Sequence, residues 1–493
     1  MRQVDSNRRS RGPWARAARA CVVALALALA GCASLEAPPA TEAASVEPHP
    51  QPTTPAVSPE RARLVEAFGG EYNSPAARRF LDDVLTKLAA ATGTSSEPYR
   101  VTLLDSPIVN AFALPSGDIF ITRGLLALAN DGSEVAAVMA HEIAHVTAHH
   151  AAQRAELERR AALFKRVSTQ VLDKPKLGEE EAARMQLSIA HFSREQEFEA
   201  DKIGIGVIAK AGYDPYAASR FLESLGRWSA FRSRVIGASS EDKPDMMATH
   251  PSTPERIAAA VAQAKLLAPP GVGETARNPY LTAIDGIAFG DNPAQGLVLG
   301  RRFLHPKLGF GFEAPEGFAL ENQSAALVGV GEAGSQALRL DSIEANDSTT
   351  LEAALASGWI EGVQTASIET LKDTELPTAV AIAQGREWSF RLAAIRLNGR
   401  IYRLIFAAHT LPASVDQRFL ASIRSFHRMT PGEAAEARAS RLQVVAARDG
   451  DGPQTFADQM AVAPEPLDQF LILNGLDKSA TTPAGERFKI VTR

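Results

Sequence analysis

Four histidines and one glutamate crowd into the stretch AAVMAHEIAHVTAHH, Ala136 to His150. Within it, His141-Glu142-Ile143-Ala144-His145 has the pattern H-E-x-x-H. On an α-helix, positions i and i+4 share a face, so both imidazoles can reach one ion. Glu142 sits beside them, placed to take a proton from a water on that ion. Two imidazoles with an adjacent carboxylate base are the donor set of a catalytic zinc, which needs a third protein ligand and an open position. One known continuation puts Gly and His seven and ten residues after the first His. Those positions hold Ala148 and Ala151, so the third ligand lies elsewhere. His149 is one further turn along the ligand face, which leaves a neighbouring role open to it. Otherwise His149 and His150 read as solvated or supporting groups.

A second helical stretch, SREQEFEADKIGIGVIAKAGY, offers Glu195, Glu197 and Glu199. Glu197, Asp201 and Gly204 fall at i, i+4 and i+7 and share one face. Gly204 would let two helices approach closely. Asp201 on an inward face needs a partner, and the free N–H of a metal-bound imidazole is the most economical one. Glu195 and Glu199 lie on other faces and read as solvated.

HEIAH together with SREQEFEADKIG resembles the HtpX/BepA-type zinc metallopeptidases of the M48 peptidase family, over roughly Ser74 to Ala268. The resemblance implies one Zn²⁺ per chain on His141, His145 and Glu197, with Glu142 as general base and Asp201 supporting a ligand. NAFALPSGDIFITRGLL resembles the family's substrate-receiving edge strand. It implies that Asn110, Ala111, Phe112 and Ala113 bind substrate by backbone pairing, which reads little side-chain sequence. ATHPSTPERIA resembles the family's His-Pro motif. It implies that His250 either donates to the oxyanion or takes the fourth zinc position and holds the enzyme latent; the sequence leaves both open.

The elements around these motifs give an α+β fold. A mainly helical gluzincin-type peptidase domain with a small sheet is expected over 60–270. Its helices include SPAARRFLDDVLTKLAAATG, closed by a Gly, and TPERIAAAVAQAKLLA. The β-rich alternation around Pro115-Ser116-Gly117 predicts a hairpin before the histidine helix. From 278 to 430, successive strands and a closing helix resemble PsbP-like domains, an antiparallel sheet flanked by helices. Asn398-Gly399 is a hairpin signal within it. Residues 441–493 resemble a LysM-like module, which would take peptidoglycan as ligand, although Asp449-Gly450-Asp451-Gly452 departs from that family's usual opening. A packing unit ending in a helix and a strand is the other reading.

The first 31 residues have the marks of a leader. Six Arg and one Asp precede the apolar run CVVALALALA, too short to span a bilayer. The run ends in LAGC, which resembles a bacterial lipobox and implies lipidation at Cys32. Residues 32–59 are rich in Pro, Ala, Thr and Glu and read as an extended tether. Loss of the leader takes the formal charge from -5 to about -10, and nothing in the balance points to nucleic acid. With Cys21 removed and Cys32 acylated, no thiol remains for a disulfide.

The whole predicts a zinc metalloendopeptidase, lipid-anchored on the periplasmic side of a Gram-negative outer membrane. Its substrates would be misfolded or stalled envelope and outer-membrane proteins. The competing reading is a scaffold lipoprotein that binds envelope or peptidoglycan, with proteolysis minor or latent.

Overall fold

The computed structural model describes residues 58–93, 99–154, 156, 192–236, 246, 250–323, 326–331, 334–345, 348–462 and 465–493. The leader, Cys32 and nearly all of the tether lie outside the described residues. Among those described, no helix is long and apolar enough to cross a membrane.

The first part of the fold is helical around a small sheet. Helix α1 spans Pro59–Ala67 and α2 spans Pro75–Thr92. Ser74 caps the start of α2, Pro75 takes its first position, and Gly93 ends it at φ +72°. Strands β1 (Arg100–Leu104), β2 (Ala111–Ala113) and β3 (Asp118–Thr122) form a sheet in the order β1-β3-β2. β2 and β3 are the expected hairpin, antiparallel across the turn at Pro115-Ser116-Gly117. The short helix α3 (Arg123–Leu128) leads to α4 (Gly132–Thr147), which carries the histidine motif. Asp131 is the cap of α4, accepting from Glu134 N at 2.9 Å, while Ser133 donates to Asp131. Helices α5 (Arg194–Lys210), α6 (Ala217–Ile236), α7 (Pro254–Leu267) and α8 (Arg277–Ile284) complete this part.

A second core belongs to a seven-stranded sheet whose strands lie in the order Glu369–Leu371, Thr378–Gln384, Ser389–Leu397, Arg400–Ala408, Gln336–Glu344, Leu327–Gly331 and Ala319–Asn322. All its pairings are antiparallel, as expected for this region. Its longest hairpin joins Ser389–Leu397 to Arg400–Ala408. Asn398 and Gly399 both have positive φ, the turn that Asn-Gly signals. One face packs Phe406 and Tyr402 against Phe310, Phe312, Phe419 and Phe426. The helix Leu351–Ala356 covers the other face.

The boundaries differ from the expected 60–270, 278–430 and 441–493. Tyr280, Leu281 and Ile284 of α8 lie in the same apolar core as Leu81, Val138 and Phe221. Phe456, Phe470, Phe488 and Val491 join that core as well. The strand Ala288–Phe289 pairs with Ser440–Ala446, which pairs with Arg487–Thr492. The chain therefore leaves the first core near residue 290 and returns to it near 440. The C-terminal strand–helix–helix–strand unit is part of the helical core, with the large sheet carried between.

Lys489 shows how the return is locked. Its ammonium is fully buried and donates to the carbonyls of Ala127 (2.9 Å), Leu128 and Ala129, at the end of α3. The last carbonyls of a helix have no partner within it, and a cation suits that end of the dipole. Lys489→Met keeps the stem and removes the donor to Ala127 and Leu128, while Ala129 keeps only the Tyr280 hydroxyl. Urea unfolding should show a loss on the order of 1–3 kcal/mol. An unchanged midpoint would mean that water reaches them.

Candidate metal centre

The two motif helices meet because small residues line their contact. Ala136, Ala140 and Ala144 of α4 are fully buried. On α5, Gly204 lies so close that an added Cβ would stand 3.1 Å from the backbone N of His141 and 3.2 Å from the carbonyl carbon of Ala140. Ser193 opens α5 with a reciprocal capping pair with Gln196. Glu197 and Asp201 follow on the buried face.

His141, His145, Glu197 and His250 converge, each offering one donor atom, with all four atoms within 4.8 Å of one another. His145 Nε2 is 3.0 Å from His141 Nε2, and His141 Nε2 is 3.2 Å from His250 Nδ1. Glu197 Oε1 lies 2.9 Å from His250 Nδ1 and 3.6 Å from His145 Nε2. Four donors in a tetrahedron at about 2.0–2.1 Å from zinc would stand about 3.3 Å apart.

The donor set, rather than any shortage of hydrogen bonds, is what fits a metal ion here. His141 Nδ1 faces Asp201 Oδ1 at 3.0 Å and must carry the proton there. A neutral imidazole then has only a lone pair on its other nitrogen. That lone pair points at two further imidazole nitrogens. Glu197 Oε2 accepts no hydrogen bond among the described residues. Arg256 Nη1 forms an ion pair with it at 2.7 Å and also donates to the Pro251 carbonyl. Three converging imidazoles and a buried carboxylate fit a divalent cation, and nitrogen and oxygen donors suit zinc.

Asp201 is held from both sides. Arg256 on α7 grips it with Nε and Nη2, each at 2.8 Å. Burial opposes ionisation of Asp201, but the bonds from His141 and Arg256 outweigh it and hold the carboxyl below its ordinary range. Burial likewise opposes a charge on Glu197, and the attraction and hydrogen bond of His250 overcome it. Arg256 also ties down the turn after His250 through Pro251. Arg256 stands within the His-Pro stretch, but no local pattern in the sequence marks it as part of the site.

Glu142 is buried, with Oε1 3.7 Å from His250 Nε2 and no hydrogen bond. Burial pushes its carboxyl up to about 8; His141 pulls it down and Glu197 adds to the rise. Beside it runs β2, the edge of its sheet. Asn110 and Leu114 direct their main chain to β3, with Thr122 N donating to Asn110 O and Leu114 N to Asp118 O. The alternation of a strand turns the main chain of Ala111 and Ala113 to the free side. The Ala113 N–H reaches Glu142. Phe112 points away and packs against Phe68 and Phe120.

The remaining histidines part company. His149 is exposed at φ +57°, whereas His150 is completely buried against His145. His150 is thus not a solvated neighbour of His149.

The model of peptidase family M48 matches residues 75–264, which include every residue of this centre. These residues form an M48 domain. Over 206 residues the chain is 29% identical to the beta-barrel assembly-enhancing protease of Escherichia coli (strain K12), covering 40% of this chain and 41% of that protein. Over 192 residues it is 34% identical to the mitochondrial metalloendopeptidase OMA1 of Arabidopsis thaliana, covering 39% and 36%. The chain thus spans about two-fifths of the length of these relatives. Among solved structures, cyanobacterial PsbP (CyanoP) from Synechocystis sp. PCC 6803 aligns with 33% of this chain and 99% of its own. Its identity is 12% and its TM-score 0.20, too low to establish a shared fold.

The close approach of α4 and α5 in the M48 domain gives a direct test. Gly204→Val would drive branched carbons into the His141 backbone. It should lower stability by about 1–3 kcal/mol in chemical unfolding and weaken zinc retention. A variant as stable and as well loaded as wild type would show that the helices can part without harm.

Proposed function

We propose that the protein is a zinc-dependent metalloendopeptidase. The observation that carries this reading is the buried convergence of His141, His145, Glu197 and His250 beside Glu142 and an open strand edge. His141, His145 and Glu197 would hold the ion. Zinc bound there supplies a Lewis acid that activates water and polarises a peptide carbonyl. The chain's own residues supply the rest. Among the described residues, the main chain of Ala111 and the Ala113 carbonyl have no strand partner on this edge; strand addition of an extended peptide would lay its backbone beside Glu142. Glu142 takes the proton of the attacking water and passes it to the departing amine nitrogen as the C–N bond breaks. A cation next to this carboxyl favours the ionised form that a base requires.

His250 Nδ1 stands among the donor atoms. That position supports its use as a fourth ligand that holds the enzyme latent, because a catalytic zinc needs one open site. The leader, LAGC and the Pro-rich tether support a lipid anchor at Cys32, with the enzyme facing the periplasm. The similarity to a beta-barrel assembly-enhancing protease supports misfolded or stalled outer-membrane proteins as substrates.

Casein digestion by the full chain should stop with a chelator and return with zinc. Glu142→Gln should cut the rate by roughly 10²–10⁴ while keeping its zinc. Equal activity in this variant and wild type would refute the mechanism. Glu197→Ala should lose most bound zinc, and full retention would move the third ligand elsewhere. For His250→Ala the expected result is a raised basal rate. A fall would instead make His250 an oxyanion donor.

A further inference from the structure

The chain just past the HEIAH motif takes a path that a continuous helix would not. Helix α4 stops at Thr147. His149 adopts φ +57°, and a new helical turn begins as Gln153 N donates to His149 O. Five residues along an unbroken helix would carry His150 about 140° round from His145. The left-handed residue brings it back instead. His150 is 0% exposed, with Nδ1 2.9 Å from His145 Nδ1 and Nε2 3.3 Å from Glu199 Oε2. Phe192 stacks on the His145 ring at 4.0 Å and 29°, closing that side.

With a metal ion held by His145 Nε2, the protons in this chain would have one order. His145 Nε2 faces the other donor atoms and needs its lone pair there. Its proton is then on Nδ1 and goes to His150 Nδ1. His150 must carry its own proton on Nε2, and Glu199 accepts it. His141 has the same arrangement in shorter form, with Asp201 directly behind it. Both motif imidazoles are thus backed by a carboxylate, one directly and one through a second imidazole.

We infer that His150 and Glu199 are positioning residues for the metal centre: the Glu199–His150–His145 relay fixes the tautomer and ring direction of His145. This rests on the zinc reading above. Groups behind a metal-bound histidine typically contribute 10–100-fold in metal affinity.

The test is zinc affinity of the full chain, by competition with a chromophoric chelator, with the melting temperature of each zinc-free protein measured alongside. His150→Leu keeps bulk and removes the acceptor; it should bind zinc about 10–100-fold more weakly. His150→Asn places an amide oxygen near the lost Nδ1 and should recover most of the affinity. Glu199→Ala, at a half-exposed position, should fall between wild type and His150→Leu without altering the melting temperature. The relay is overturned if His150→Asn is as weak as His150→Leu, or if Glu199→Ala binds like wild type. Should His150→Leu fail to fold, Glu199→Ala decides alone. Wild type that takes up no zinc would refute the zinc reading itself, a result distinct from equal retention in the variants.

Discussion

The buried contact between Asp201 and Arg256 holds the centre together. Both side chains are over nine-tenths hidden, and a buried charge persists only with a partner and satisfied hydrogen bonds. Here the partners come from three helices. α5 brings Asp201, α7 brings Arg256, and α4 brings His141, which donates to the same carboxylate. Arg256 also bonds the carbonyl after His250. One guanidinium therefore ties the helix of Glu197 and Asp201 to the histidine turn. Removing it would take from the buried Glu197 and Asp201 carboxylates the cation they share.

The outer framework protects that geometry. Arg220 on α6 bonds Asp131, Ser133 and Asp214, anchoring the start of the metal helix. Lys489 closes the end of α3, directly before it. The metal helix is thus seated on a segment more than 300 residues further along the chain. The C-terminal unit is a structural part of the helical core, whatever else its outer surface does.

The sequence carried the placements that depend on one helix at a time. His141, His145, Glu197, Asp201 and Gly204 follow helical periodicity within unbroken segments, and the structure brings them together on facing surfaces. The hairpin before the motif and the Asn398-Gly399 turn were legible because local backbone chemistry dictates them. Other features were hidden for physical reasons. His150 returns to His145 only because His149, which is not glycine, takes a left-handed conformation. Arg256 meets Asp201 across 55 residues of sequence separation, and no local pattern marks that pairing. The shared core of α8 and the last two strands was hidden as well. Composition reports the character of a segment, not which core it joins.

X-ray absorption at the zinc edge of the full-length protein tests the central claim most directly, because it reads the donors around the ion. The structure predicts bound zinc with three imidazole nitrogens and one carboxylate oxygen in the resting state. A shell of two imidazoles with several waters, or protein that retains no zinc after purification, would contradict the account.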